Sequence, residues 1–172
     1  MRMISRLFVA LTALMLHVGP TPAAERSVAV FDFELIDTSL EGELNGPRRD
    51  EQARLAATSD QLRRRLAASG QFTVIDIAPV AAQARASNLQ ACGGCDTRLA
   101  KAIGAELAVT GTVQKVSNLI LNMSIYIRNT QTGQPVAAMT ADLRGNTDES
   151  WSRTLDWLVR NRLLAPGSGV LK

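Results

Sequence analysis

The chain has 172 residues, with 19 lysines and arginines against 16 aspartates and glutamates, and its side chains are 46% apolar but only 4% aromatic. That length suits one ordinary domain with its own core, and the near balance of charge excludes the basic footprint of a nucleic-acid-binding protein. Two cysteines are too few for a four-thiolate metal site, and no glycine-rich phosphate loop of the GxGxxG or GxxxxGK[ST] type is present.

The first segment, MRMISRLFVALTALMLHVGPTPAAERS, places Arg2 and Arg6 before an apolar run from Leu7 to Val18, followed by small residues. This order predicts a secretory signal peptide over residues 1–24, cleaved after Ala23 or Ala24, with a run too short to span a bilayer. The domain proper is then 25–172. It loses two arginines and becomes nearly neutral. It also loses His17, the sole histidine, and with it any histidine triad or histidine metal ligand. No second long apolar run follows, so no membrane insertion is expected once the leader is removed.

SVAVFDFELI, residues 27–36, alternates as one strand. Ala29, Phe31, Phe33 and Leu35 share one face; Val28, Val30, Asp32 and Glu34 share the other. Residues 37–51 are polar and contain Gly42, Gly46 and Pro47, which reads as a long loop. Residues 52–69 predict a helix with Leu55, Leu62 and Leu66 on one stripe and Gly70 as its stop. Arg63, Arg64 and Arg65 spread around that helix and read as solvated surface. A second strand, 71–77, completes a parallel, right-handed β-α-β unit. Residues 78–86 read as helical after Pro79, and Asp96 as the cap of a short helix ending at Gly104.

Residues 107–116, 119–129 and 135–145 read as three strands of an antiparallel meander. In the middle strand Leu119, Leu121, Met123, Ile125 and Ile127 oppose Ile120, Asn122, Ser124, Tyr126 and Arg128. The Asn122-Met123-Ser124 glycosylation match sits mid-strand and is a chance one. The last segment predicts a helix with Asn146 as N-cap, Glu149 at the capping-box position and Asp148 favouring the dipole. Its stripe is Trp151, Leu155, Leu158, Val159 and Leu163. Trp157 lies off that stripe and is a candidate contact residue. The fold class expected is α+β, an α/β sandwich: one mixed sheet with a β-α-β start, then a three-stranded antiparallel meander, with helices packed on the sheet.

VAVFDFEL, LAASGQFTVID, LAKAIGAELAVTGTVQKV and the NTQTG turn together resemble a recurrent envelope domain. It is similar to the amino-terminal domain of TolB, the curli-assembly lipoprotein family and the periplasmic activators of penicillin-binding proteins. A narrower resemblance is to small exported bacterial proteins of a domain of unknown function, carried by VAVFDFEL, the cysteine pair, KVSNLIL and RGNTDESW. It implies a single TolB-N-like domain over 25–172 and a scaffold that docks proteins. No catalysis and no cofactor are implied.

Three functions follow as expectations. The first is a non-enzymatic periplasmic accessory protein that binds another cell-envelope protein. Its binding segment is the loop from Asp37 to Glu51, with Glu41, Glu43, Arg48 and Arg49, beside Asp32 and Glu34. The exposed meander face around Asn122, Ser124 and Tyr126 is the fallback. The second is a metal or small-ligand site on the same acids, whose carboxylates suit a hard cation but whose spacing assigns none. The third is thiol–disulfide exchange at Cys92-Gly93-Gly94-Cys95. The following Asp96 excludes haem attachment, and no core strand precedes the pair as it does in thioredoxin-like proteins. A structural disulfide, closing so short a loop for about 2 kcal/mol, is the expected use.

Overall fold

A computed structural model describes residues 25–170; the predicted leader, residues 1–24, lies outside the described residues. The strands are β1 (Arg26–Val30), β2 (Glu34–Asp37), β3 (Phe72–Ile75), β4 (Leu107–Lys115), β5 (Leu121–Asn129) and β6 (Pro135–Leu143). The helices are α1 (Leu40–Asn45), α2 (Arg49–Ala68), α3 (Ala81–Arg85), α4 (Cys95–Ala102) and α5 (Asp148–Leu158), the last prolonged by a π turn over Val159–Leu163. The sheet runs β3-β1-β4-β5-β6, and β2 follows β1 along the same side of β4. β1, β2, β3 and β4 pair in parallel, and β4-β5-β6 is the antiparallel meander. The mixed α+β sheet expected from the sequence is therefore present, with helices on both faces. Among the described residues no helix is long and apolar enough to cross a membrane.

One face carries the larger core. Leu55, Leu62 and Leu66 of α2 and Trp151, Leu155 and Leu158 of α5 pack on Val28, Val109, Met123, Ile125 and Ile127. The other face is covered by α3 and α4 through Val80, Ala84 and Ala100, which meet Ala29, Phe31 and Ala108. Both helical stripes read from the sequence are buried as expected.

The single strand expected over 27–36 is in fact two. Val30 pairs with Val109 and Glu34 with Thr112, so residues 30–34 hold one residue more than the β4 segment they oppose. The excess is absorbed at 31–33. There the Phe33 amide leaves the ladder to donate to Ser59 Oγ at 2.9 Å. The Phe33 ring lies over Gly111, where any Cβ would run into it. A slip of one residue exchanges the faces. Phe31 stays with Ala29, but Phe33 and Leu35 cross to the face of Val28 and Val30.

Four further expectations are corrected. The 37–51 loop contains α1 and the first turn of α2. Ser39 accepts from the Gly42 amide, Glu41 and Glu43 follow in the first turn, and Gly46 ends the helix at φ 71°. That is a helix-start signature hidden among glycines and a proline. Asp96 does not cap α4. It lies buried in the first turn and accepts from Arg128 at 3.0 Å. The N-cap of α5 is Thr147, whose hydroxyl accepts from the Ser150 amide, so Asn146 is released to point elsewhere. The arginine triple is not all solvated surface either. Arg63 donates to the Val30 carbonyl and Asp32, and Arg65 to Asp156.

Candidate functional site

β4 presents Leu107, Val109, Gly111 and Val113 to the larger core, and Lys115 is next in that alternation. Its side chain is 0% exposed. The ammonium is met by three carboxylates from three elements: Glu51 of α2 at 2.7 Å, Glu41 of α1 at 3.2 Å and Asp37 of β2 at 3.3 Å. Asp37 reaches it because the slip at 31–33 turns Asp37 to the Lys115 side, where the two residues are register partners. Asn146 donates to Glu51 Oε1 at 2.6 Å and to Asn118 Oδ1 at 3.0 Å, and accepts from the Trp151 indole N–H at 3.0 Å. Asn118 donates to Glu41 at 2.8 Å. Arg48 bonds Glu41 and both oxygens of Asp50, and Arg54 links Asp50 to Asp148.

Burial alone would pull the Lys115 pKa down, but Glu51, Glu41 and Asp37 outweigh it and hold the ammonium above the ordinary lysine value. Such an amine keeps its proton and offers no lone pair to a substrate. Burial would raise Asp37, yet two hydrogen bonds from Ser39 and the contact with Lys115 hold it low. Asn118 and then Lys115 lower Glu41. Asp50 is lowered chiefly by Arg48. The carboxylates thus converge on a cation supplied by the chain itself. Among the described residues no group of three or more His, Cys, Asp or Glu is arranged to hold a metal ion.

These directions fix a pH profile. The three lowered carboxyls give their full stabilisation above about pH 4–5, the ordinary carboxylate range, and lose it as pH falls through their folded values. Lys115 gives its full share below about pH 10, and loses it as pH rises through its raised value. Urea midpoints should therefore form a plateau that falls on both sides. The alkaline fall should be shallower in Lys115→Met; an identical alkaline fall would show that Lys115 does not cause it.

The predicted binding residues divide into separate places. Asp37, Glu41 and Arg48 belong to the Lys115 network. Glu43 and Arg49 are exposed and make no side-chain bond among the described residues. Asp32, paired with Arg63 and Arg85, and Glu34, accepting from the Leu89 amide at 3.0 Å, line a small cavity of about 170 Å³ on the α3 side. Trp157, about three turns along α5 from Asn146, is 44% exposed beneath the Arg162 guanidinium. Cys92 and Cys95 are joined as a disulfide with Cα atoms 5.7 Å apart, where the loop enters α4. Sequence reasoning missed Lys115, Asn118 and Asn146. A lysine in an apolar register of β4 was the available signal.

The network also underlies a surface. Among the described residues seven large apolar side chains are exposed, and all but Trp157 lie at this end: Ile36 on β2, Leu40 and Leu44 on α1, and Val116, Leu119 and Ile120 at the β4–β5 turn. Leu44 and Leu119 are 72% and 81% exposed. The Asn118–Glu41 bond ties the turn to α1, so Leu40 and Leu44 on the one and Leu119 and Ile120 on the other are carried by two elements joined through the network.

The family model DUF3280, described as "Protein of unknown function (DUF2380)", matches residues 26–163. No curated protein matches the sequence. Among solved structures, the LpoB C-terminal domain from Escherichia coli is 17% identical, with 75% of this chain and 89% of that one covered at a TM-score of 0.51. The LpoB C-terminal domain from Salmonella enterica is also 17% identical, covering 71% and 84% at a TM-score of 0.50. TolB from Acinetobacter baumannii is 12% identical, covering 80% of this chain and 29% of that one at 0.43. At these identities the LpoB likeness is one of fold.

Proposed function

The chain belongs to this family of unknown function, and for it we propose the task of an accessory protein of the cell envelope, which docks another envelope protein and catalyses nothing itself. The observation that carries this reading is the apolar rim of Leu40, Leu44, Leu119 and Ile120 over the Lys115 network. Exposed leucines gathered at one end, away from any core, are the composition of a protein contact rather than of solvated surface. A rigid ionic base under them lowers the ordering cost of binding. The sequence resemblance to envelope-assembly domains and the LpoB-like fold support the same reading. In it, residues 1–24 export the chain to the periplasm, and the Cys92–Cys95 disulfide serves the loop before α4 structurally.

The test uses the exported protein in its own envelope, with in situ crosslinking and thermal melts. Leu40→Asp with Leu119→Asp should leave the melting temperature within a few degrees, since exposed substitutions change stability by about 0.5 kcal/mol or less, and abolish the specific crosslinked species. Unchanged crosslinking would overturn the reading. Replacing residues 38–50 by a linker is the poorer test, because it removes Glu41, Arg48 and Asp50 from the network.

A further inference from the structure

β6 is the open margin of the sheet. It pairs with β5 on one side, and among the described residues its other edge makes no backbone hydrogen bond. Edge strands are ordinarily blunted by proline, by lysine or by shortness. β6 has proline only at its first residue, and Val136 to Ala141 carry neither charge nor proline over most of the strand. The opposite margin, β3, is four residues long.

A groove runs beside this edge. One part, about 380 Å³, lies between Ala141 and Arg144 and the Ser150–Arg153–Trp157 face of α5. A second, about 300 Å³, lies between Ala137–Thr140 and Arg162 with Ser168. Trp157 borders the first part, and Arg162, over its ring, the second. Glu149 pairs with Arg153, and Asp142 also lines the first part, so three arginines face two acids along the groove. Arg144 and Arg162 have no carboxylate partner among the described residues. Free main-chain N–H and C=O groups in a row select an extended peptide. The exposed part of the indole not under Arg162 selects an apolar side chain, and the guanidiniums of Arg144 and Arg162, neither bonded to a carboxylate, select carboxylates.

We propose that β6 and the α5 groove bind an extended, acidic segment of a partner protein, which adds to the sheet as a further strand. The site is distinct from the rim at α1, so each can fail alone.

The experiment uses the purified chain and two fluorescein-labelled peptides as long as β6, one alternating valine with glutamate and one alternating valine with lysine. Binding is read by anisotropy and by amide hydrogen exchange. The glutamate peptide should bind, shift Trp157 emission and slow exchange in residues 136–142; the lysine peptide should not. Arg144→Glu with Arg162→Glu should weaken binding by about tenfold or more, because two charge-assisted contacts become repulsive, without moving the thermal melt. Trp157→Ala should weaken it independently, and Leu40→Asp should leave it unchanged. Equal binding of both peptides would overturn the proposal, as would unprotected β6 amides. So would β6 protection that rises with protein concentration alone, which would make a second copy the occupant.

Discussion

Lys115→Met is expected to lower the unfolding free energy by about 3–5 kcal/mol, the cost of stranding buried carboxylates without their counter-charge. Glu51 sets the size of the effect. Its side chain is 1% exposed and its Oε1 is 2.7 Å from the ammonium, so removal of the cation leaves it unable to recruit bulk water. Asp37 and Glu41, at 16% and 35% exposure, are screened by solvent and add less. The companion variant Lys115→Met with Glu51→Leu should recover a large part of the loss, since replacing both members of a buried pair by apolar groups is often close to neutral. Urea unfolding measures both. A loss below about 1 kcal/mol for Lys115→Met would mean that the carboxylates reach water and that the pair behaves as a surface one.

Trp151→Ala should cost a similar amount, about 3–5 kcal/mol, by opening a large cavity under α5. Trp151 is 1% exposed within the core shared by α2, α5 and the sheet. Its indole N–H also holds Asn146 Oδ1, and Asn146 in turn bonds Glu51 and Asn118. Trp151→Phe separates the two roles. It keeps most of the volume and removes the donor, so a loss of about 1–2 kcal/mol is expected. The denaturant slope should stay constant in both variants if only the folded state is affected. An alanine variant within about 1 kcal/mol of the parent would contradict the packing described for α5.

The parts of the fold legible in the sequence are those where one period runs unbroken. Leu121, Met123, Ile125 and Ile127 alternate through β5, and Leu55, Leu62 and Leu66 recur on α2, so burial follows from spacing alone. What fails is whatever depends on a partner distant in sequence. The extra residue at 31–33 exists only relative to β4, and no pattern inside 27–36 marks it. Adjacent Asn146 and Thr147 are both good caps, and the choice is settled by Glu51 and Trp151 claiming the asparagine. The acids of the 37–51 segment were visible as candidates. Their convergence on Lys115, from 64 to 78 residues away, was not.

The slip over Gly111 makes the first strand pair sensitive to residue count more than to residue identity. The extra residue at 31–33 is what brings Leu35 and Asp37 onto the face of Val30. Were the same residues to run straight from β1 into β2, everything after them would turn by half a pleat. Leu35 would then face the α3 side, and Asp37 would turn away from the ammonium with which it is in register. α1 follows Asp37 after only two residues, Thr38 and Ser39, so the leucines of the rim would be carried round with it. Insertions within the family should therefore be rarer at 31–33, where a further residue would have to be absorbed against β4, than at the 131–133 hairpin tip, where Gln131 and Thr132 are exposed.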